Sequence, residues 1–236
     1  MDPPMDFPRS LVDVAEPSRD GLLRERAYIE LKKLIVSGEL GKTPFLSTRN
    51  LAKHLGMSLT PVRSAIERLE TEGLLSIGPQ RGVVVNELTT SEIVDHFEIR
   101  QALETLVMRK LAGRLHADQA QELRSNVAAH QASLTAGDIE QYIMLDGSFH
   151  LLLAEFSGNA DIERVLRQLR DRIFRIVLRV IEHVPDRMCA SIDEHRQIVD
   201  LLTDGDATRA ADVMKQHLRG GLKAIVPGYQ PQDFGL

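Results

Sequence analysis

From about residue 90 onward, apolar positions recur every three to four residues in six successive runs, roughly 91–114, 117–135, 138–156, 159–183, 186–203 and 206–225. That period belongs to helices that bury one face. The breaks between runs hold "LHAD", "AGD", "SGNAD", "VPD" and "DGDA", stretches rich in turn and capping residues. Short links between long helices make neighbours antiparallel, so this half predicts a helical bundle. The preceding text is different. A helix of about Thr48 to His54 ends at Gly56, and a second starts with Thr60 as N-cap and Pro61 in the first helical position. Its Val62, Ala65, Ile66 and Leu69 face inward, Gly73 stops it, and Ser64, Glu67 and Arg68 lie off the stripe. Two β-like runs follow, "LLSI" at 74–77 and "VVVN" at 83–86, around a basic tip of Gln80, Arg81 and Gly82. Helix, tight turn, helix and β-wing make a winged helix-turn-helix, whose second helix fits the major groove of DNA.

The expected fold class is therefore mainly α: an N-terminal winged helix-turn-helix followed by an antiparallel six-helix (or seven-helix) bundle. Residues 1–20, proline-rich, acidic and aperiodic, read as an arm. The DNA-binding unit takes 21–88, the helical effector and dimerisation unit 89–226, and a Pro/Gly tail 227–236.

Charge sharpens the division. From Gly21 to Asn86 ten Lys/Arg stand against six Asp/Glu, a net of +4; from Glu87 on, seventeen stand against twenty-three, a net of −6. Such asymmetry fits one unit facing an anionic partner. A single cysteine, Cys189, excludes an internal disulfide framework. No apolar run approaches the roughly 20 residues of a membrane span, and "MDPPMDFPRS" lacks the basic and apolar regions of a signal peptide. The expectation is a cytoplasmic protein with no membrane partner.

Polar groups on apolar stripes carry the chemistry. In "QYIMLDGSFHLLLAEF", Asp146 and His150 share the face of Ile139, Ile143 and Leu153, one turn apart. Burying a carboxylate and an imidazole without partners is costly. His195 lies in line with Ile192, Val199 and Leu202, and His217 with Ala210, Val213, Gly221 and Ala224. The turn at Gly205 falls ten residues after His195 and twelve before His217. At about 1.5 Å per residue both histidines lie about 15–18 Å from it, hence at one height in an antiparallel pair. Asp146, His150, His195 and His217 thus form a three-His, one-carboxylate set suited to a divalent metal, Zn²⁺ or Ni²⁺.

Arg100 falls inside the stripe of Ile93, Phe97, Leu103/Glu104 and Val107. Either it pairs with Glu104 or its fork binds a carboxylate held by the metal. His130, near Val127 and Leu134, either lines that effector site or is a satisfied core histidine. His96, His116 and His183 read as surface or helix-end residues.

"LAKHLGMSLTPVRSAIERLETEGLL…RGVVV" resembles the DNA-binding domain of GntR-family transcription regulators over about 24–86. The resemblance implies DNA contacts from Arg49, Ser58, Thr60 and Arg63, with Gly82 letting the wing approach the minor groove beside Arg81. The family usually has Arg where this chain has Leu59, and Glu where it has Ser64. Leu59 could pack on a thymine methyl but cannot read guanine, so no family operator carries over. "EIRQALE", "DGSFHLLLAEFSGN", "DEHRQIVDLLTDGDATRA" and "MKQHL" resemble the FCD domain, the fatty-acid-regulator C-terminal domain, and six helices, where some members have seven, look more like its vanillate-regulator branch. That resemblance implies an antiparallel bundle that dimerises and often binds a divalent metal and a small organic acid. It makes Asp146, His150, His195 and His217 the metal ligands and Arg100 an effector contact; Glu104 and His130 are grouped with Arg100.

The resulting expectation is a homodimeric, ligand-responsive regulator, a repressor on a pseudo-palindromic double-stranded operator. The alternative is a metal-dependent enzyme acting on a small organic acid, with Glu104 or His130 as base and the DNA-binding domain an accessory.

Overall fold

The structure is a computed structural model that describes residues 19–40, 46–78, 82–226 and 228–229. The arm before Arg19, the tail beyond Tyr229 and Arg81 lie outside the described residues. The chain divides into two compact units, with the main break between Asn86 and Glu87 and with Val36–Gly38 grouped with the second unit.

The first unit contains α1 (Arg19–Val36), α2 (Thr48–His54), α3 (Leu59–Thr71), β1 (Leu75–Gly78) and β2 (Gly82–Val85). α1 begins two residues before the boundary expected at Gly21. Ala27, Leu31 and Ile35 of α1 bury against Leu51, Val62, Ile66, Leu69, Leu75 and Val83. Polar contacts fix the same packing at its edge. The Tyr28 hydroxyl donates to Glu72 at 2.8 Å, and the Arg68 guanidinium lies 3.6 Å from the Tyr28 ring while pairing with Glu25. The Ser47 hydroxyl accepts from the Asn50 amide and caps α2.

α3 starts two residues earlier than its sequence suggests. Ser58, extended at φ −70° and ψ 163°, is the N-cap, and Thr60 and Pro61 already lie in the helix. The reason is physical: no first-turn amide has an intrahelical partner, so a proline anywhere in that turn sacrifices nothing. β1 and β2 pair antiparallel, Leu75 opposite Val85 and Gly78 opposite Gly82. Leu46 joins the ladder by a bridge to Val83, with N···O distances of 3.0 and 2.7 Å.

The second unit is the bundle: α4 (Thr90–Leu111), α5 (Ala117–Ala136), α6 (Ile139–Phe156), α7 (Ala160–His183), α8 (Arg187–Asp204) and α9 (Ala207–Ile225). Links of two to five residues join them. Four of the starts carry a side-chain cap from their own sequence. Thr89 and Glu92 form a capping box on α4, and Asp138, Asn159 and Asp206 accept backbone amides at α6, α7 and α9. Gly137 and Gly205 end α5 and α8 in the left-handed region. α4 packs on α9, α9 on α8, α8 on α5, and α5 on α6. Phe149, Met108, Ile192, Leu202 and Met214 are fully buried between them.

Candidate metal centre and nucleic-acid face

α6, α8 and α9 each turn imidazoles or a carboxylate into that core. Asp146, His150, His195 and His217 are 4%, 4%, 0% and 6% exposed, and one ligating atom from each lies within 4.8 Å of the others. Ring centroids of His195 and His217 are 4.7 Å apart, and those of His150 and His217 5.1 Å. Phe149 stacks on His195 at 4.0 Å and fixes its plane. The Ser191 hydroxyl donates to Asp146 at 3.4 Å.

The donor set fits a cation on its own chemistry. Nε2 of His150 and both ring nitrogens of His195 are buried without a hydrogen-bond partner, a condition that native interiors rarely leave unexplained. Burial, together with the neighbouring imidazoles, pushes His195 well below the usual histidine value; burial also lowers His217. Both therefore keep lone pairs available at neutral pH. Burial pushes the Asp146 carboxyl up, but His150, His130 and His217 outweigh it and hold the group ionised.

Behind these four groups stand two carboxylates that orient them. Glu104 accepts Nε–H of Arg100 at 2.7 Å with one oxygen and meets Nδ1 of His150 at 2.5 Å with the other. Burial raises its pKa, yet Arg100 and His150 bring it down to about 2. Glu194 meets Nδ1 of His217 at 2.8 Å and accepts Nη2 of Arg187 at 2.5 Å. In each pair Nδ1–H points at a carboxylate, which fixes the tautomer and turns Nε2 toward the centre. Glu194 and Arg187 were not singled out in the sequence. Both sit off the apolar stripe of α8, where charged residues ordinarily meet solvent.

A small cavity of about 40 Å³ adjoins the cluster, lined among others by Phe97, Arg100, Asp146, Arg187 and His217. Of the three residues grouped as effector contacts, Arg100 lines it, and its Nη2 is buried without a partner. Glu104 does not line it, because both its oxygens are engaged behind Arg100 and His150. His130 does not either: it is fully buried, 4.0 Å from the Tyr142 ring and 5.5 Å from His195. Nor is it a satisfied core histidine, since neither ring nitrogen has a hydrogen-bond partner. His96, expected at the surface, is 4% exposed with Nε2 3.3 Å from the Leu169 carbonyl. A wider depression of about 530 Å³ between α4 and α9 holds none of the four clustered residues.

In the first unit Arg49, Ser58, Leu59, Thr60 and Arg63 are all exposed, at the starts of α2 and α3. Arg49 and Arg63 form no ion pair with any described residue, whereas Arg68 is committed to Glu25, Glu72 and Tyr28. Leu59 is 43% exposed, a large apolar side chain that no packing explains. Gly82 has a local reason to be glycine. Its φ is +77°, and a Cβ there would stand 2.6 Å from the Leu46 carbonyl oxygen.

No described helix is long and apolar enough to cross a membrane. Residues 95–220 match the FCD domain and residues 23–85 the family described as bacterial regulatory proteins, gntR family. The chain is 28% identical over 200 residues to the HTH-type transcriptional repressor RspR of Escherichia coli, covering 84% of this chain and 86% of that one. It is 28% identical over 190 residues to a probable D-xylose utilization operon transcriptional repressor of Paenarthrobacter nicotinovorans, covering 80% and 83%. The solved structure of E. coli McbR/YncC superposes with a TM-score of 0.70 at 24% identity, over 86% of this chain and 96% of that one, a likeness of fold. These relatives are regulators of transcription, not enzymes, and neither Glu104 nor His130 is placed as a free base on the cavity. The chain belongs to the GntR family of bacterial transcription regulators, with a winged helix-turn-helix followed by an FCD domain.

Proposed function

We propose that this regulator is a repressor controlled by a small organic acid, which it binds beside a divalent ion, zinc or nickel, in the bundle. It works in the cytoplasm as a homodimer on a pseudo-palindromic operator, which Arg49, Ser58, Leu59, Thr60, Arg63, Arg81 and Gly82 approach. The observation that carries the reading is the convergence of Asp146, His150, His195 and His217, with orphaned imidazole nitrogens, beneath the free Nη2 of Arg100. Asp146 and the three histidines would hold the ion, and Glu104 and Glu194 position two of them. The ion supplies a Lewis-acid contact for a carboxylate when bound. Arg100 gives that carboxylate a second, directional contact and screens it from the apolar wall.

Val177, Val180 and Ile181 of α7 line the same cavity. On another face of α7, Arg179 reaches the Leu88 carbonyl at 3.4 Å and Glu87 at 3.9 Å. These are among the first residues of the second unit, so a change in the cavity wall has a physical path to the start of that unit. Ligand alters DNA affinity only as far as it binds two arrangements unequally.

The test has two arms. Metal content is measured on protein purified without a nickel column, for the wild type and His195→Ala. Small carboxylates are then screened for thermal stabilisation and for release of labelled operator, with and without chelator. Stoichiometric metal, with acid effects that disappear on chelation or in His195→Ala, is expected. Substoichiometric metal with acid effects indifferent to chelator would overturn the reading.

A further inference from the structure

Arg187 repeats, on the other side of the cavity, what Arg100 does. Arg100 holds Glu104, and Glu104 holds Nδ1 of His150; Arg187 holds Glu194, and Glu194 holds Nδ1 of His217. Both arginines line the same cavity, both are largely buried, and each keeps one unpartnered nitrogen, Nη2 of Arg100 and Nε of Arg187. A buried N–H without an acceptor is as costly as a lost hydrogen bond, and a pair of them at one cavity calls for an occupant with two acceptors.

The backbone is shaped around Arg187. Its Nη2 also donates to the His217 carbonyl at 2.8 Å, across the middle of α9. A Cβ at Gly220 would stand 2.9 Å from both Nε and Nη2. Glycine weakens a helix interior, and here it leaves the lane in which the guanidinium lies.

Charge selects between kinds of second acceptor. Glu104, Asp146 and Glu194 against Arg100 and Arg187 leave one negative charge. A divalent ion turns that into one positive charge, and a single carboxylate closes it. Buried charge is tolerated only when compensated, so the second acceptor is an uncharged oxygen.

We infer that Arg187 is a second anchor for the acid, and that the site takes a short monocarboxylate bearing a hydroxyl or carbonyl oxygen. This rests on the acid-sensing reading above. Arg100 meets the carboxylate and Arg187 Nε–H donates to the added oxygen.

Calorimetric titration of the zinc-loaded full chain with acetate, glycolate and malonate tests it, zinc content being measured alongside. Glycolate is expected to bind about tenfold more tightly than acetate, with malonate no tighter than glycolate. In Arg187→Met both acids bind more weakly, since Glu194 loses its partner, but glycolate loses more and the glycolate-to-acetate ratio falls toward one. Gly220→Ala, which keeps the charge and favours the helix but displaces the guanidinium, reduces the same ratio. A wild type that binds glycolate no better than acetate, or variants that keep the ratio or lose both acids alike, overturn the assignment. Malonate binding tightest overturns the uncharged acceptor. Uptake of none of the three acids refutes the acid-sensing reading itself, and this inference with it.

Discussion

Glu104 holds His150 by Nδ1 from a neighbouring helix, 46 residues away in the chain, and its other oxygen is taken by Arg100. One buried carboxylate therefore sets the tautomer of an imidazole in the four-residue cluster and the aim of the guanidinium that lines the cavity. The two functions expected of the bundle, holding an ion and recognising an acid, share a single group.

Replacing that group separates them from folding. Glu104→Gln keeps the shape but removes the charge facing both Arg100 and His150. Metal affinity should fall about ten- to a hundredfold, the usual effect of losing a carboxylate behind a ligating histidine. Competition against a chromogenic chelator measures it. Unchanged affinity would mean that His150 needs no such orientation and that the tautomer is set some other way.

His96 makes stability depend on pH in a window of its own. Burial, with Arg100 and Arg172 nearby, lowers its pKa to about 4, despite the Leu169 carbonyl that favours the charged form. A histidine so depressed takes its proton in the unfolded chain first. Stability is thus lost as pH falls below about 6.5 and stops falling near the folded value of about 4. By pH 5 the loss from this group is about 2 kcal/mol. Urea unfolding in chelating buffer at pH 7 and pH 5 should show His96→Gln losing about that much less than the wild type. Equal losses would place the titration elsewhere.

How much of this was legible in the sequence depends on where each partner lies. The bundle helices were readable because a 3.6-residue stripe and the punctuation around it are local. Asp146, His150, His195 and His217 stood out as polar groups on apolar stripes, and the distance to Gly205 placed two of them at one height. The N-cap of α3 was misplaced by two residues because both Ser58 and Thr60 are good caps and Pro61 suits any first-turn position. His96 was misread because the carbonyl that buries it belongs to Leu169, 73 residues on. Arg187 and Glu194 carry no local signal at all: a charged pair seven residues apart on one helix looks like a solvated face until α9 is laid across it.

Gly82 distinguishes a fold requirement from a DNA contact. Alanine there must keep φ at +77° and push the Leu46 carbonyl from 2.6 Å, costing about 2–4 kcal/mol from left-handed strain and the backbone clash together. Gly82→Ala should destabilise the first unit and weaken operator binding through it, leaving metal content unchanged. Near-ultraviolet and thermal unfolding profiles alongside gel shifts decide the matter. Wild-type stability with lost DNA binding would show that the glycine serves the DNA after all.

Arg49 and Arg63 differ from Arg68 in having no acidic partner among the described residues, and that difference predicts opposite outcomes. Arg49→Ala or Arg63→Ala should leave thermal stability unchanged, since exposed groups without partners contribute little. Each should weaken operator binding and, where it meets a phosphate, reduce the slope of log affinity against log salt by about 1. Arg68→Ala removes contacts to Glu25, Glu72 and the Tyr28 ring. Its effect should therefore fall on the docking of α1 against α3, with a lower melting temperature and an unaltered salt slope. Titrations at three or more salt concentrations, paired with melting curves, resolve the two classes. An arginine at 49 or 63 whose loss lowers the melting temperature but spares the slope belongs to the scaffold, and the surface that meets DNA would have to be sought elsewhere on the unit.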